Sequence, residues 1–410
     1  MRNVDAAGLG IGDDHPPRIM GVLNVSAESP YDPSVYDDPG EAAEYVDREL
    51  IGEGADIVDV GLESANKDLD VLSAEAELER LDTAIETLES TSGDAVWSIE
   101  TRYHEVADAA LSRGFDMVND ICGFADPEMP RVCREHDAAV SKMASPPDLE
   151  RPGAIEDVDD IYEALSMNGL TDKTILDPAF GGWSEAKTHA DDRETFHRLR
   201  EFRGYGHPLL VSINRKSFLK TIAGRSTEEA LPVSLAATSM AVERGAHAIR
   251  THDVAETRDA ALIGAEFARD RVRSSAGDVS VEELDVTTRR EAERHLDRLG
   301  VPVDLAEETV VHSYELGGLS EAAIGSLRAA TTGGLTTDSA ATDGGGNDGP
   351  TAEGHRSRVP AAFAVGSRAG ETGRGILIGT SDGIERVRQG VSGVSDDLVA
   401  VFDEIDVISK

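Results

Sequence analysis

RIMGVLNV, residues 18–25, decides the fold: a run of apolar, mostly branched residues of strand length that ends on a polar side chain, Asn24. The same form recurs along the chain as ADIVDVG (55–61), AVWSIET (95–101), MVNDI (117–121), AAVSKMA (138–144), KTILDPA (173–179), PLLVSIN (208–214) and AHAIRTHD (246–253). Near-continuous apolar runs suit strands buried on both faces, as parallel strands are. Between them lie segments such as AEAELERLDTAIETLES (74–90) and TEEALPVSLAATSMAVERG (227–245). In these, apolar residues fall three and four apart and carboxylates fill the opposite face, the pattern of amphipathic helices. Eight such repeats in about 255 residues are the arithmetic of a closed (β/α)8 TIM barrel, since a doubly wound open sheet more often has five or six strands.

The chain has 410 residues, more than the roughly 250 one barrel needs, so a second module is expected. The pattern divides it into an N-terminal arm (1–17), the barrel (18–272), a helical segment (273–330), a flexible low-complexity linker (331–358) and a small C-terminal α/β segment (359–410). The linker is Gly, Thr, Asp and Ser with almost no apolar anchor, which leaves nothing to offset ordering entropy. FAVGS and GILIGTS are the strand candidates beyond it, and DGIERVRQGV and SDDLVAVFDEI the helix candidates.

Composition narrows the function. No run approaches the roughly 18 apolar residues of a membrane span, and the N-terminus lacks the apolar core of a leader, so no membrane role is expected. Two cysteines, Cys122 and Cys133, cannot build a disulfide framework or a structural zinc site, and the expected compartment is the reducing cytoplasm. A formal net charge of −40 repels phosphate backbones and argues against a nucleic-acid partner. Only 7 of the 39 basic residues are lysine. Excess carboxylate with arginine as the base is the balance expected of a halophilic protein, whose self-repulsion is tolerable when molar salt shortens the Debye length to about 3 Å. Dilute buffer is expected to unfold it.

In such a barrel the active site lies at the C-terminal ends of the strands. Polar residues there are Asn24; Asp59 and Glu63; Glu100; Asn119 and Asp120; Asp177; Asn214, Arg215 and Lys216; and Arg250, His252 and Asp253. Asp120 and Asp253 read first as helix-cap or turn residues. Lys216 is one of few lysines in an arginine-using chain, which raises the odds that its ammonium is needed for itself. Arg250 and His252 stand two apart on one strand, point the same way and can together receive an anion. Asn24 offers a neutral oxygen where a hydrated Mg²⁺ bridging a diphosphate can dock. Lys142 either points into the mouth or is paired structurally.

The strings IMGVLNV, GADIVDVGLES, NDICG, ILDPAFGGW, INRKSFL and IRTHDV, in this order, resemble the successive strand-end motifs of the dihydropteroate synthase family of pterin-binding barrels. The resemblance implies a transferase that joins 6-hydroxymethyl-7,8-dihydropterin diphosphate to p-aminobenzoate in folate biosynthesis, with Mg²⁺ as cofactor and a homodimer as the assembly. It implies that Asn24 contacts metal and diphosphate, that Asn119, Asp177 and Lys216 hold the pterin, with Glu100 beside them, and that Arg250 and His252 bind the diphosphate. Lys216, Asp177, Arg250 and His252 are then the catalytic set.

The chain departs from that family in four places. The first loop is SAESPYDPSVYDD, with Glu28 where an aspartate is usual, and the second has Ser64, Ala65, Asn66, Lys67 and Asp68 in place of Ser-Thr-Arg-Pro-Gly. Strand three ends in Ile99, Glu100, Thr101 rather than Val-Asp-Thr, and strand five has Ser141, Lys142, Met143 in place of a Met-His-Met-like stretch. Lys67 either supplies the lost loop charge or is simply solvated. The alternatives are a related pterin-dependent methyltransferase domain, which needs no diphosphate site, and a pterin-binding protein without turnover.

Overall fold

The computed structural model describes residues 2–26, 32–63, 71–147, 149, 155–181, 187–276, 279–332, 361–365, 373, 375–392 and 398–402. Residues Met1–Glu283 and Leu284–Lys410 form two compact units.

The first unit opens with a hairpin, β1 (Val4–Ala6) and β2 (Leu9–Ile11), where a 1–17 arm was expected. Ala7 and Gly8 both have positive φ, +50° and +92°, the backbone a two-residue hairpin turn demands. Eight parallel strands follow: β3 (Arg18–Asn24), β4 (Ile57–Gly61), β5 (Val96–Thr101), β6 (Met117–Asp120), β7 (Ala139–Met143), β8 (Thr174–Asp177), β9 (Leu210–Val211) and β10 (Ala248–Thr251). Their order in the sheet is β8-β7-β6-β5-β4-β3-β10-β9. The barrel closes where Leu176 pairs with Leu209 and its N–H donates to Pro208 O at 2.9 Å. Strand β9 is shorter than its apolar run: Pro208 has no N–H to give, and Arg215 turns the chain at φ +51°.

The outer helices are α1 (Pro39–Tyr45), α2 (Ala74–Ser90), α3 (His104–Leu111), α4 (Met129–Glu135), α5 (Val158–Ser166), α6 (His189–His197), α7 (Ser217–Ala223), α8 (Leu231–Glu243) and α9 (Val254–Glu266). Asp38, Ser73, Asp157 and Thr188 accept first-turn N–H groups of α1, α2, α5 and α6, satisfying donors a helix start leaves orphaned. No helix among the described residues is long and apolar enough to cross a membrane.

Two apolar clusters result from the period of two along each strand. The larger lies between strands and helices and takes residues such as Ile19, Val58, Ile99, Val118, Val140, Leu176 and Ile249. The smaller fills the lower lumen with Met20, Ile57, Val96, Met117, Ala139, Ile175, Leu210 and Ala248, plugged by Val4, Ala6 and Ile11 of the hairpin. Below it Asp13 accepts hydrogen bonds from His247 at 3.2 Å and Arg271 at 2.5 Å.

After α9 the chain makes a two-stranded sheet, β11 (Arg273–Ala276) with β12 (Val279–Glu282), a departure from the expected helical segment. The second unit holds α10 (Arg289–Arg298), β13 (His312–Leu316), α11 (Glu321–Thr332), β14 (Ala362–Val365), β15 (Gly375–Gly379) and α12 (Ser381–Val391). Its antiparallel sheet runs β13-β15-β14 over a core of its own that includes Leu327, Leu377, Val387 and Phe402. Strand β13 interrupts the expected helical run, because its alternation of half-buried and exposed residues is too short to mark a strand in the sequence. Most of the expected linker lies outside the described residues.

Candidate active site

Moving two residues toward the C-terminal end of each barrel strand from the lower lumen layer reaches the next inward-facing layer. Its members are Val22, Asp59, Ser98, Asn119, Ser141, Asp177, Ser212 and Arg250. One step turns an apolar plug into a polar floor.

Asp59 organises that floor and is fully buried. Its carboxylate accepts hydrogen bonds from Ser98 Oγ at 2.7 Å, Asn119 Nδ2 at 3.0 Å and Arg250 Nε at 2.7 Å. Arg250 also donates from Nη2 to Glu100 Oε2 at 2.7 Å. Burial works against the guanidinium's charge, yet the Glu100 and Asp59 carboxylates outweigh it and hold its pKa above the ordinary value. Burial pushes Glu100 upward, a shift that Arg250 limits. The extra methylene of Glu100 thus goes to reaching Arg250.

Asp177 and Lys216 stand across the floor. Asp177 accepts from Ala179 N at 2.8 Å, and burial raises its pKa against the pull of that bond and of Lys216. Lys216 arrives because Arg215 bends left-handed and the next side chain crosses Gly181: a Cβ there would sit 3.1 Å from Lys216 Cδ and 3.4 Å from Nζ. Burial depresses the Lys216 pKa, and of the surrounding charges Asp177 supports it most. Lys216 Nζ makes no hydrogen bond to a described residue. The same holds for Asn119 Oδ1, Asp177 Oδ2 and Arg250 Nη1, whose side chains are anchored through their other polar atoms. Groups like these in a lumen are what a polar ligand is fitted to.

Above the floor, Asn24 Nδ2 donates to Ser34 Oγ at 3.1 Å, and Ser34 Oγ lies 3.1 Å from His252 Nδ1. Ser34 comes from the loop after β3, whose end is carried back onto the strand by Tyr36 N donating to Asn24 O at 2.9 Å. Burial, then the Arg250 cation, lowers the His252 pKa to about 3. Of the two groups expected to receive an anion together, Arg250 thus carries the positive charge and His252 is on the neutral side of its titration. Asn24 Oδ1 points over Gly61, where a Cβ would approach it to 2.9 Å and Glu100 Oε1 to 3.8 Å. Two oxygens from β3 and β5, the strands on either side of β4, thus face one space, a donor set that suits a hydrated hard cation.

The remaining polar strand-end residues do other work. Glu63 clasps the two ends of the second loop, accepting from Leu72 N at 2.7 Å and Arg102 Nη2 at 2.5 Å. Asp120 is a turn residue as expected, accepting from Cys122 N at 2.7 Å and Phe124 N at 3.0 Å. Asp253 precedes α9 but does not cap it; its carboxylate takes two bonds from Arg215, each 2.8 Å, and one from Asn214 at 2.9 Å. Lys142 points outward from the lumen, is fully buried, and donates to the Leu165, Met167 and Gly169 carbonyls at the end of α5. Ser64, Ala65, Asn66, Lys67, Asp68 and Glu28 lie outside the described residues. His104, Glu105 and Asp126 also gather close enough to share an ion, but Asp126 already accepts the backbone N–H of His104 at 3.0 Å and its ring nitrogen at 2.7 Å.

Ser34, Ser98 and Lys187 escaped the sequence reading. Lys187 is buried, donates to Ala179 O at 2.7 Å and lies 3.4 Å from Asp192, which in turn accepts from Gly181 N at 3.0 Å. It staples the loop beneath Lys216. Its rarity as a lysine was a usable signal, and one alternation step from Val96 would have found Ser98. Nothing in the sequence marks Ser34.

Residues 20–252 match the family model described as pterin binding enzyme. Over 266 residues the chain is 33% identical to a probable bifunctional folylpolyglutamate synthase/dihydropteroate synthase of Haloferax volcanii, a match that covers 62% of this chain and 31% of that protein. It is 31% identical to the dihydropteroate synthase of Bacillus subtilis over 242 residues, 58% of this chain and 83% of that one. Among solved structures, the dihydropteroate synthase of Coxiella burnetii in complex with pteroic acid superposes with a TM-score of 0.55 at 28% identity, covering 64% of this chain and 98% of that one. The chain belongs to the pterin binding enzyme family, on the branch of the dihydropteroate synthases, which are transferases.

Proposed function

We propose that the protein condenses 6-hydroxymethyl-7,8-dihydropterin diphosphate with p-aminobenzoate, giving 7,8-dihydropteroate and diphosphate in folate biosynthesis. The observation that carries this reading is the convergence of Asn119, Asp177, Lys216 and Arg250 on one lumen, each with a polar atom that no described residue engages. The Coxiella relative's ligand, pteroic acid, joins the same two moieties.

In this reading Asp177 Oδ2 accepts from the amino-pyrimidinone edge, Asn119 Oδ1 accepts from the same edge, and Lys216 donates to a ring acceptor. Arg250 Nη1 and His252 Nε2 meet the diphosphate. The methylene C–O bond breaks with its electron pair leaving on the diphosphate, and the dihydropterin ring spreads the resulting positive charge. The amine lone pair then forms the C–N bond, and its proton passes to solvent or to the departing anion. Glu100 and Asp59 place negative charge by the developing cation, so catalysis rests on positioning and electrostatics, with no protein nucleophile. Asn24 Oδ1 and Glu100 Oε1 are the residues that would hold Mg²⁺. When bound, the ion supplies charge neutralisation of the diphosphate.

The test is amine-dependent diphosphate release by the purified chain in molar KCl with Mg²⁺. Release with other aryl amines alone would overturn the acceptor, and no release with any amine would overturn turnover.

The assembly proposed is a homodimer through α8 and α9, whose outer faces expose Met240, Leu262, Ile263 and, just after α9, Phe267 at 77%. A monomer mass by light scattering would overturn it. We also place the protein in a cytoplasm of high salt: a thermal midpoint that does not rise with KCl would contradict this, given the net charge of −40.

A further inference from the structure

One lumen-facing group has no task in the mechanism above. Ser141 lies in the middle of β7 and is fully buried, and its Oγ has no hydrogen-bond partner among the described residues. Its direction follows from alternation: Ala139 belongs to the lower lumen cluster, Val140 to the cluster outside the barrel, so Ser141 faces inward. Its neighbours in the same layer are Asn119 on β6, its register partner, and Asp177 on β8, which pairs with Met143 two residues beyond Ser141. The hydroxyl therefore stands between the two side chains assigned to the pyrimidinone edge.

An orphan hydroxyl there is informative because another serine of the floor is not orphaned: Ser98 donates to Asp59 at 2.7 Å. Leaving a buried hydroxyl without a partner is costly, and an alanine in the same place would avoid that cost. A protein that retains it is expected to use it in another state of the site, with ligand present.

We propose that Ser141 is a ligand contact, donating to or accepting from a polar atom of the bound aminopyrimidinone heterocycle between the atoms held by Asn119 and Asp177. This rests on the pterin reading above and adds a residue that helps set which heterocycle is bound.

The argument makes two effects run in opposite directions in one variant. Ser141→Ala removes an unsatisfied group from the free protein, so its thermal midpoint stays the same or rises. In the complex the same change removes a hydrogen bond, so affinity falls by about three- to tenfold, the range for one neutral bond. The experiment is calorimetric titration of the full chain, in molar KCl, with 6-hydroxymethyl-7,8-dihydropterin, for wild type, Ser141→Ala and Ser141→Cys, beside the ligand-free midpoint of each. Cysteine nearly keeps the volume but bonds weakly, so it is expected to follow alanine.

Weaker binding by both variants without loss of the free protein's midpoint supports the proposal. Unchanged affinity in Ser141→Ala overturns it and leaves the pterin reading standing. Wild-type affinity in Ser141→Cys overturns it too, because the site then reads shape, and a lowered midpoint with unchanged affinity assigns the hydroxyl a structural partner instead. Failure of the wild type to bind the pterin overturns the pterin reading, and this inference with it.

Discussion

The lower and upper layers of the barrel lumen come from the same eight strands, two residues apart, and differ in almost everything else. Below, Met20, Ile57, Val96, Met117, Ile175 and Leu210 close on one another and on the N-terminal hairpin. Above, Asp59, Asn119, Asp177 and Arg250 form a charged floor that is only partly self-satisfied. The lower layer removes apolar surface from water and stabilises the fold, at roughly 25 cal/mol per Å² buried. The upper layer desolvates charges, which is favourable only where partners are well placed. Placing the two in contact makes the apolar plug a rigid base on which the costly polar groups are held in geometry for a ligand.

The sharpest way to break this contrast is to remove an upper-layer group that the free protein does not need. Lys216→Ala and Asp177→Ala are each expected to lower turnover by about a thousandfold or more, as loss of a principal electrostatic or positioning group does, with the circular dichroism of the folded barrel retained. Near-normal rates in either would remove the site assignment. Arg250 is the exception within its layer, because it neutralises Asp59 and Glu100 in the free protein. Arg250→Ala is expected to cost about 3–5 kcal/mol of stability in addition to activity, the usual effect of stranding buried charge. Denaturant titration checks it, and an unchanged midpoint would mean that the two carboxylates are neutralised some other way.

The matching cut in the lower layer is Ile175→Ala, which leaves a cavity between Ala139, Leu210 and their neighbours. A stability loss of about 2–5 kcal/mol is expected, while pterin affinity measured well below the lowered midpoint stays close to wild type. Affinity that falls in step with stability would show that the two layers are not separable.

A smaller effect tests the wall behind the upper layer. Glu77 on α2 is buried, accepts from Thr101 Oγ1 at 2.6 Å, and is pushed by burial to a pKa of about 7 from 4.5. A folded-state pKa above the unfolded one means that the carboxyl's contribution is fully present below pH 4.5 and is lost as pH rises through 7. Glu77→Gln, fixed in the neutral form, is expected to be more stable than wild type at pH 8 by on the order of 1–3 kcal/mol, with the gap closing toward pH 5. A gap that does not depend on pH would mean that Glu77 is ionised in the folded protein throughout.

How far this contrast could be read beforehand follows from its physical source. Alternation along a strand is local, so the eight strands, their inward faces and the polar ends were legible, and Asn119, Asp177, Lys216 and Arg250 do share one lumen. What a polar end residue touches depends on the neighbouring strand or loop. Glu63 looked like a site residue and clasps a loop; Asp253 looked like a cap and clamps Arg215. His252 stood beside Arg250 as an anion receiver, but that burial and the Arg250 charge hold its imidazole neutral depends on neighbours the sequence does not place. The N-terminal hairpin was read as an arm because each of its strands has three residues, too few for a period to register. In β13 likewise, five residues of alternating burial were absorbed into a helical reading.

The smallest expected effect concerns the second unit. It has its own sheet, β13-β15-β14, and its own core around Leu327, Leu377, Val387 and Phe402. Every side chain assigned here to pterin, diphosphate or metal belongs to the unit Met1–Glu283. A chain ending at Glu283 is therefore expected to keep the full chain's rate within about twofold, as separately cored domains allow, and the same response to Ser141→Ala. A loss of tenfold or more with the barrel still folded by circular dichroism would mean that residues after Leu284 act on the mouth. The contrast that governs activity would then involve a third surface besides the two layers of the lumen.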